Sequence, residues 1–300
     1  MPTSAKRFIN AALAGDKGEL KEMLNKGTNP NLQNHDGDTA LIMAVAFNSV
    51  EAINLLLTHR ADMNMQNNKG DTALHDAARH GRTTITRLLL TNGADPNVPN
   101  KYGCTALILT AKYGSAETAR LLLVNGANPN VRRHDGDVAL IVGIKHNRVE
   151  VIDMLLANGA DPNLRNNAGW TALIVATRES NIAIIEKLLA NGADPNIRTK
   201  VGATALAWAA ESGRVRLVDL FLTNGADPYV EDQKGRTALS RAILNDHNAV
   251  VNSLLHAHAE HFNHYSDIPR ALVASRAIYW RTQNRSRQLT KRKRKRKGRS

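Results

Sequence analysis

A 33-residue pattern recurs seven times along the chain and constrains its fold more than any other feature. The units begin at His35, Asn68, Lys101, His134, Asn167, Lys200 and Gln233, and a glycine stands third in every one. A fixed period of this length is typical of stacked repeats, in which each unit packs against its neighbours. The pattern therefore predicts a stack of small units rather than one closed core around an active site.

The unit at residues 68–100 shows what each repeat predicts locally. Gly70 marks a short turn, because glycine adopts a positive φ with little steric strain. Thr72 supplies a side-chain oxygen that caps the start of the following helix. Apolar residues at helical spacing follow, and Gly81 separates them from a second amphipathic stretch that ends near Gly93. Asp95-Pro96-Asn97 then turns the chain outward. Asparagine recurs in that outward turn at Asn64, Asn97, Asn130, Asn163 and Asn196.

This turn–helix–helix unit resembles the ankyrin repeat, most plainly in Thr72-Ala73-Leu74-His75-Asp76-Ala77-Ala78 and Asn92-Gly93-Ala94-Asp95. The resemblance covers about residues 4–262 and implies an all-α ankyrin-repeat solenoid, built from stacked helix-turn-helix units with outward β-turn fingers. Two positions of the repeat depart from the family pattern. The family's proline after the threonine is alanine in every unit, and its histidine survives only as His75. At the other histidine positions stand Ile42, Ile108, Ile141, Ile174, Ala207 and Ser240.

The ends of the chain predict capping segments. Residues 1–34 have helical patterns but lack the opening Gly-x-Thr, which indicates an N-terminal capping repeat before the seven repeats at 35–262. Asp267-Ile268-Pro269 is typical of a helix start, so we expect a C-terminal capping helix and linker over 263–284. No apolar residue follows Leu289, and we expect residues 285–300 to form a disordered basic tail.

The formal net charge of +13 belongs to the C-terminal end of the chain. Residues 270–300 hold 13 of the 40 Lys and Arg residues and no Asp or Glu, so residues 1–269 are neutral. Cys104 is the only cysteine, which excludes an intramolecular disulfide and suits a reducing compartment. No run approaches the ~20 apolar residues of a membrane span, so we expect no membrane insertion.

The positions that vary between repeats predict a partner surface. In a resembling ankyrin stack, the turn tips and first helices line one concave face. The twelfth residues of four successive units are Arg79, Lys112, Lys145 and Arg178, a basic ladder that would attract an acidic partner. Aromatic or histidine side chains accompany it, as is typical of interface anchors. The predicted partner-binding residues are Arg79, His80, Tyr102, Lys112, Tyr113, Lys145, His146, Trp170, Arg178 and Trp208. Acidic residues border the ladder, and cations chosen only for solubility remain an alternative.

The tail contains an unbroken basic run, Lys291, Arg292, Lys293, Arg294, Lys295, Arg296 and Lys297. Such a run indicates a nuclear localisation signal read by an import receptor. Attachment to nucleic acid, contact with an anionic membrane face and a purely solubilising role remain open.

The remaining groups of histidine, acidic and cysteine residues predict no metal site and no catalytic site. His35 to Asp38 and His134 to Asp137 look like ligand sets but are three units apart, too far to share a metal. His256, His258, His261 and His264 fit no standard zinc spacing. Cys104 lies at a turn tip without a partner base, which indicates an incidental exposed thiol. We therefore expect no metal, no cofactor and no enzymatic activity.

These observations together predict a non-enzymatic protein–protein interaction scaffold or adaptor in the nucleus, the cytoplasm or both. Its partners would be a protein with an acidic patch and, through the tail, an import receptor. One alternative is a nucleic-acid-associated factor anchored by the tail. The family resemblance adds another, a bacterial effector delivered into host cells.

Overall fold

The computed structural model describes residues 3–261, which form sixteen α-helices arranged in two compact units. The first unit ends at Asn167 and the second begins at Ala168, at the start of the fifth repeat. The first-unit helices are α1 Thr3–Ala14, α2 Lys17–Asn25, α3 Ala40–Ala46, α4 Val50–Thr58, α5 Ala73–Arg79, α6 Thr83–Thr91, α7 Ala106–Tyr113, α8 Ala116–Val124, α9 Ala139–Lys145 and α10 Val149–Ala157. Those of the second are α11 Ala172–Glu179, α12 Ile182–Ala190, α13 Ala205–Glu211, α14 Val215–Thr223, α15 Ala238–Leu244 and α16 Asn248–His261.

Each repeat contributes two antiparallel helices, and helices of the same kind stack along a unit. In the first unit α1, α3, α5, α7 and α9 form one layer, and the second helices pack behind them. In the second unit α13 packs between α11 and α15. The first helices bury small residues such as Ala44, Ala77 and Ala111, which lets neighbouring helices approach closely. Within residues 3–261, the structure is therefore the all-α stack of small units that the period predicts and that the ankyrin resemblance implies.

In six of the seven repeats a threonine begins the first helix. Thr39 accepts a hydrogen bond from the backbone N–H of Ile42 at 3.2 Å, and the side chain of Thr105 accepts from Ile108 in the same way. A cap of this kind stabilises a helix by about 1 kcal/mol. Val138 occupies the same position in the fourth repeat and provides no side-chain cap. Helix α9 therefore begins without a side-chain cap.

The outward turns, or fingers, tie successive repeats together through their backbones. Lys101 N–H donates to the carbonyl of Lys69 at 3.0 Å, and His134 N–H donates to that of Tyr102 at 3.3 Å. Gly70 has φ +76°, and a Cβ there would lie 2.7 Å from the Lys101 nitrogen. Glycine is therefore required both by the turn and by the next finger.

The recurring asparagines of the outward turn also connect repeats. Asn97 Oδ1 accepts from the backbone N–H of Asn128 at 2.7 Å, and Asn97 Nδ2 donates to the Gly126 carbonyl at 2.9 Å. Asn64 and Asn130 accept from Asp95 and Asp161 at the same spacing. These asparagines recur because each satisfies backbone groups of the following repeat.

Apolar packing replaces the missing histidines. Ile42, Ile108, Ile141 and Ile174 are all buried. At the N-terminal end, Phe8 and Leu20 are buried while Lys17, Lys21 and Glu22 of α2 are exposed. No helix within residues 3–261 is long and apolar enough to cross a bilayer. The predicted capping helix at 263–284 and the basic tail at 285–300 lie outside the described residues.

Candidate interaction surface

Arg79, the first cation of the predicted ladder, is held by carboxylates. Its guanidinium donates to Asp71 Oδ2 at 2.6 Å and also pairs with Asp76. Asp71 is 4% exposed, and its other oxygen accepts from Asn100 Nδ2 at 2.7 Å. The base of the finger therefore meets the end of α5, and the charge of Arg79 is compensated inside the protein.

Lys145 repeats this arrangement two repeats later. Its ammonium pairs with Asp137, which is 2% exposed and accepts from Asn166 Nδ2 at 2.8 Å. In both repeats the carboxylate lies eight residues before the cation. Two cations of the ladder are therefore bound to buried acids of their own repeats.

Lys112 differs because Cys104 occupies the position of that carboxylate. Lys112 is exposed and forms no ion pair with the described residues. Its ammonium lies 5.2 Å from the ring centroid of Tyr113, a cation–π contact. Lys112 therefore presents its charge to solvent.

The expectation of an exposed thiol at Cys104 is wrong. Cys104 is 7% exposed because the finger folds back onto α7, and its backbone N–H donates to Asn100 Oδ1 at 3.0 Å. Burial raises the pKa of the thiol, so it stays protonated at neutral pH. Cys104 is a small buried side chain rather than a reactive one.

A pocket of about 480 Å³ opens beside Lys112, and we call it the Lys112 pocket. It is lined chiefly by Lys69, Tyr102, Cys104, Lys112, Tyr113 and Arg133. Tyr102 is 61% exposed and Tyr113 is 45% exposed, so both rings are accessible from solvent. Arg133 pairs with Asp135 at 3.2 Å, whereas Lys69 forms no ion pair with the described residues.

In the second unit, Trp170 occupies the position of the carboxylate and Arg178 that of the cation. The guanidinium of Arg178 lies 4.5 Å from the ring centroid of Trp170 and 5.9 Å from that of Trp208. The two rings form an edge-to-face pair with centroids 6.1 Å apart. Arg178 is exposed, so its charge faces solvent beside two aromatic rings.

A buried charged cluster next to Trp208 was missed by sequence reasoning. Arg241 is 3% exposed, donates to Asp232 at 2.6 Å, pairs with Glu211 and lies 5.9 Å from the ring centroid of Trp208. Burial opposes ionisation of Asp232, but hydrogen bonds from Arg236, Lys234 and Arg241 outweigh it and hold its pKa well below the usual range. The available signal was an aspartate, Asp232, at a finger position where Asn67, Asn100 and Asn166 stand in other repeats. This aspartate lies nine residues before Arg241.

Comparisons with known proteins match the chain to one family. The family model described as ankyrin repeats (3 copies) matches residues 8–100, 84–166, 107–199 and 173–265. The chain belongs to the ankyrin-repeat family. A crystal structure of the ankyrin repeat domain of Bcl-3, described as a unique member of the IκB protein family, is 30% identical to it. That match has a TM-score of 0.68 and covers 74% of this chain and 100% of the other. No curated protein matches the chain.

Family membership defines the general role of the molecule. Ankyrin repeats are protein–protein interaction modules, and they are typically non-enzymatic. Because 580 chains of solved structures match, the fold alone does not identify a partner. The partner must be inferred from the side chains that differ between repeats.

Only the repeat at 68–100 keeps the family's histidine. His75 Nδ1 accepts from Thr72 N–H at 3.1 Å, and Nε2 lies 2.9 Å from the Cys104 carbonyl. Burial lowers the pKa of His75, so the ring is neutral at pH 7. The neutral ring accepts at Nδ1 and donates at Nε2, which links this ankyrin repeat to the next one.

The two exposed histidines of the predicted set lie at the C-terminal ends of first helices. His80 Nδ1 lies 2.9 Å from the Asp76 carbonyl. Partial burial, and then the charges of Lys112, Arg148, Lys145 and Arg133, lower the pKa of His146. Four cations therefore lie close enough to His146 to contribute to this lowered pKa.

The ligand-like sets at the fingers have structural roles. Asp38 accepts from Asn67 Nδ2 at 2.8 Å, and Asp137 holds Lys145. Within residues 3–261, no three His, Cys, Asp or Glu side chains converge as a metal site would require. His264 and the side chains of His258 and His261 lie outside the described residues.

Proposed function

We propose that this ankyrin-repeat protein is a non-enzymatic adaptor that binds an acidic partner protein and is directed to the nucleus by Lys291–Lys297. The observation that carries the binding part is the exposure of Lys112 and Arg178 against aromatic rings, without a carboxylate partner among the described residues. Exposed cations beside aromatic side chains are typical interface anchors, and their charge is available to a partner.

The charge balance favours a protein over nucleic acid on this surface. Residues 1–269 are neutral, and Asp36, Asp38 and Asp76 border the cations on the preceding fingers and helix. A phosphate backbone requires a sustained positive field along its length. A folded or extended protein segment can instead place isolated acidic side chains on isolated cations.

The binding part is tested by reversing only the cations that face solvent. Lys112→Glu and Arg178→Glu, combined in the full chain, should abolish capture of partners identified by proximity labelling in cells. The neutral change Arg87→Gln, at an exposed second-helix arginine, is the matched control. Retention of every partner by a folded Lys112→Glu, Arg178→Glu variant would remove these cations from the proposal. Reversal of Arg79 is avoided because it would place a third carboxylate beside Asp71 and Asp76.

The nuclear part rests on the sequence of the tail. Replacement of residues 291–297 by alanine should redistribute a tagged protein from nucleus to cytoplasm, because an import receptor reads the clustered charge. Unchanged nuclear localisation of the alanine variant would exclude the tail as the signal. The effector alternative rests on family resemblance alone and is tested by the source of the chain.

Seven consecutive cations also favour a second function, anchoring on nucleic acid. Binding to DNA or RNA that weakens steeply with salt and is lost on truncation at Gln288 would support this factor-like role. If the truncated chain bound nucleic acid as well as the full chain, the tail would not be the anchor.

A further inference from the structure

We infer that the Lys112 pocket binds an acidic peptide segment of the partner protein, with a carboxylate on Lys112 and an apolar side chain against the two exposed tyrosines. This inference rests on the proposed function and names the site and the chemistry of the ligand. The carboxylate that other repeats provide internally is absent here, so a partner would supply it.

The first step is the position of Cys104. In the repeats on either side, Asp71 and Asp137 stand at the corresponding place, are buried, and hold Arg79 and Lys145. The backbone of the repeat is the same in all three, since each finger folds back through equivalent hydrogen bonds. Substitution of the acid by Cys104 therefore leaves the cation without the partner that the fold brings to it.

The second step is the charge around the pocket. Lys69 and Lys112 have no carboxylate partner among the described residues, whereas the charges of Arg79 and Arg133 are balanced by Asp71 and Asp135. Partial burial lowers the pKa of His146 most, and the charge of Lys112 is the next largest cause. A carboxylate that enters the pocket would meet two uncompensated ammonium groups.

The third step is the apolar part of the pocket. Ile108, Leu109 and Val142 contribute buried apolar lining, and the exposed rings of Tyr102 and Tyr113 form its accessible surface. Tyrosine rings offer a large contact area at low cost in conformational entropy. The pocket therefore suits an acidic segment that also carries an aromatic or aliphatic side chain.

Charge decides between the available occupants. The chain's own basic run, Lys291–Lys297, would be repelled by Lys69 and Lys112. A nucleic acid strand that continued toward the preceding repeat would meet Asp36, Asp38 and Asp76. An acidic protein segment has the correct sign and needs only a short stretch of contact.

The test restores the missing carboxylate without altering any exposed side chain. Cys104→Asp should recruit Lys112, as Asp71 recruits Arg79, and remove its charge from the pocket. Cys104→Ala is the matched control, because Ala203 occupies this position in another repeat. The probe is a fluorescein-labelled pentapeptide with two acidic residues on each side of a phenylalanine, and an Asn/Gln counterpart measures the charge requirement.

We expect Cys104→Asp to weaken binding of the acidic peptide about ten-fold or more, the effect of losing one charge-assisted contact. Cys104→Ala should stay within about two-fold of the parent chain, and the Asn/Gln peptide should bind no better to the parent than to Cys104→Asp. Lys112→Met, at an exposed position, provides the same loss of charge if Cys104→Asp does not fold, as judged by circular dichroism.

Three results would overturn the inference. These are unchanged peptide affinity in both folded variants, loss of binding only when residues 291–297 are replaced, or a Cys104-dependent affinity for oligothymidylate in place of the peptide. The pocket and the wider adaptor proposal can fail separately. If partners captured by proximity labelling persist in Cys104→Asp but are lost in the Lys112→Glu, Arg178→Glu variant, the adaptor role stands and the pocket does not.

Discussion

The neighbouring repeats at 68–100 and 101–133 place a cation at the same position of the same helix, yet the two cations behave differently. Arg79 is held by a buried acid of its own finger, whereas Lys112 has Cys104 at that place and is exposed. The residue eight positions upstream therefore decides whether a cation stabilises the repeat or remains available to a partner. A column of positive charges in an ankyrin-repeat sequence is not by itself a binding surface.

The largest expected effect concerns Arg241 and Asp232, the most deeply buried form of the paired arrangement. Asp232→Asn would remove the buried carboxylate from the guanidinium of Arg241 and leave it with Glu211, whose side chain is 37% exposed. We expect a loss of about 3 kcal/mol in the free energy of unfolding at pH 7, measured by urea titration, because removing one partner of a buried ion pair is costly. Arg236→Met, which removes the more exposed partner of Asp232, should cost about 1 kcal/mol. Equal losses in the two variants would mean that burial does not determine the value of the pair.

The same pair predicts acid sensitivity. The pKa of Asp232 in the folded protein lies well below that of the unfolded chain, so folding is favoured while the carboxylate is ionised. That stabilisation is complete above the unfolded pKa of about 4 and is lost as the pH falls below it. Asp232→Asn should therefore flatten the stability profile between about pH 4 and pH 2.

The next largest effect is the difference in stability between variants of Arg79 and of Lys112. Arg79→Met should lower the free energy of unfolding by about 2 kcal/mol, since it leaves Asp71 buried with only Asn100 as side-chain partner. Lys112→Met should change it by about 0.5 kcal/mol or less, as is usual for exposed positions. Urea titration of both variants measures the difference.

A double variant tests the cause of the Arg79 effect. Adding Asp71→Asn to Arg79→Met removes the uncompensated carboxylate and should recover part of the loss, because the energies of two contacting residues do not add. If the double variant is as unstable as the sum of the single variants, the ion pair is not the source of the difference between the repeats.

Histidine at position 75 is the second difference between these repeats, and its removal has an expected effect no larger than that of Arg79→Met. His75→Ala should cost about 2 kcal/mol, because it removes two hydrogen bonds and leaves a cavity. His75→Ile should cost less than about 1 kcal/mol, since Ile108 fills the same place in the next repeat. Thermal unfolding of both variants would show whether packing can replace the polar link.

The protonation of His75 adds a pH dependence to this prediction. Burial lowers its pKa in the folded protein, so protons bind the unfolded chain more readily. The stability it contributes is complete above the unfolded pKa of about 6.5 and declines as the pH falls below that value. His75→Ile should reduce this slope without abolishing it, because the pKa of His146 is also lowered.

Much of the fold follows from the sequence because its causes are local. Gly70, Thr72 and Asn97 each satisfy a turn, a helix start or a backbone group of the next repeat, and these needs recur with the period. Which cations of the basic ladder are paired does not follow from the sequence. Pairing depends on the finger folding back until Asp71 contacts Arg79. The burial of Cys104 was missed for the same reason, since a turn-tip position was equated with exposure. Once the fold is known, an acid eight residues before a cation of the ladder predicts an ion pair between the two.

The smallest expected effect concerns the contact that replaces the acid beside Lys112. A double-mutant cycle of Lys112→Met and Tyr113→Leu should give a coupling energy of about 0.5 kcal/mol, the scale of an exposed cation–π contact. The corresponding cycle of Arg79→Met and Asp71→Asn should give several times as much. A Lys112 coupling as large as that of Arg79 would mean that Tyr113 holds Lys112 as firmly as a carboxylate does. The charge would then not be free for a partner, and the contrast between the two repeats would disappear.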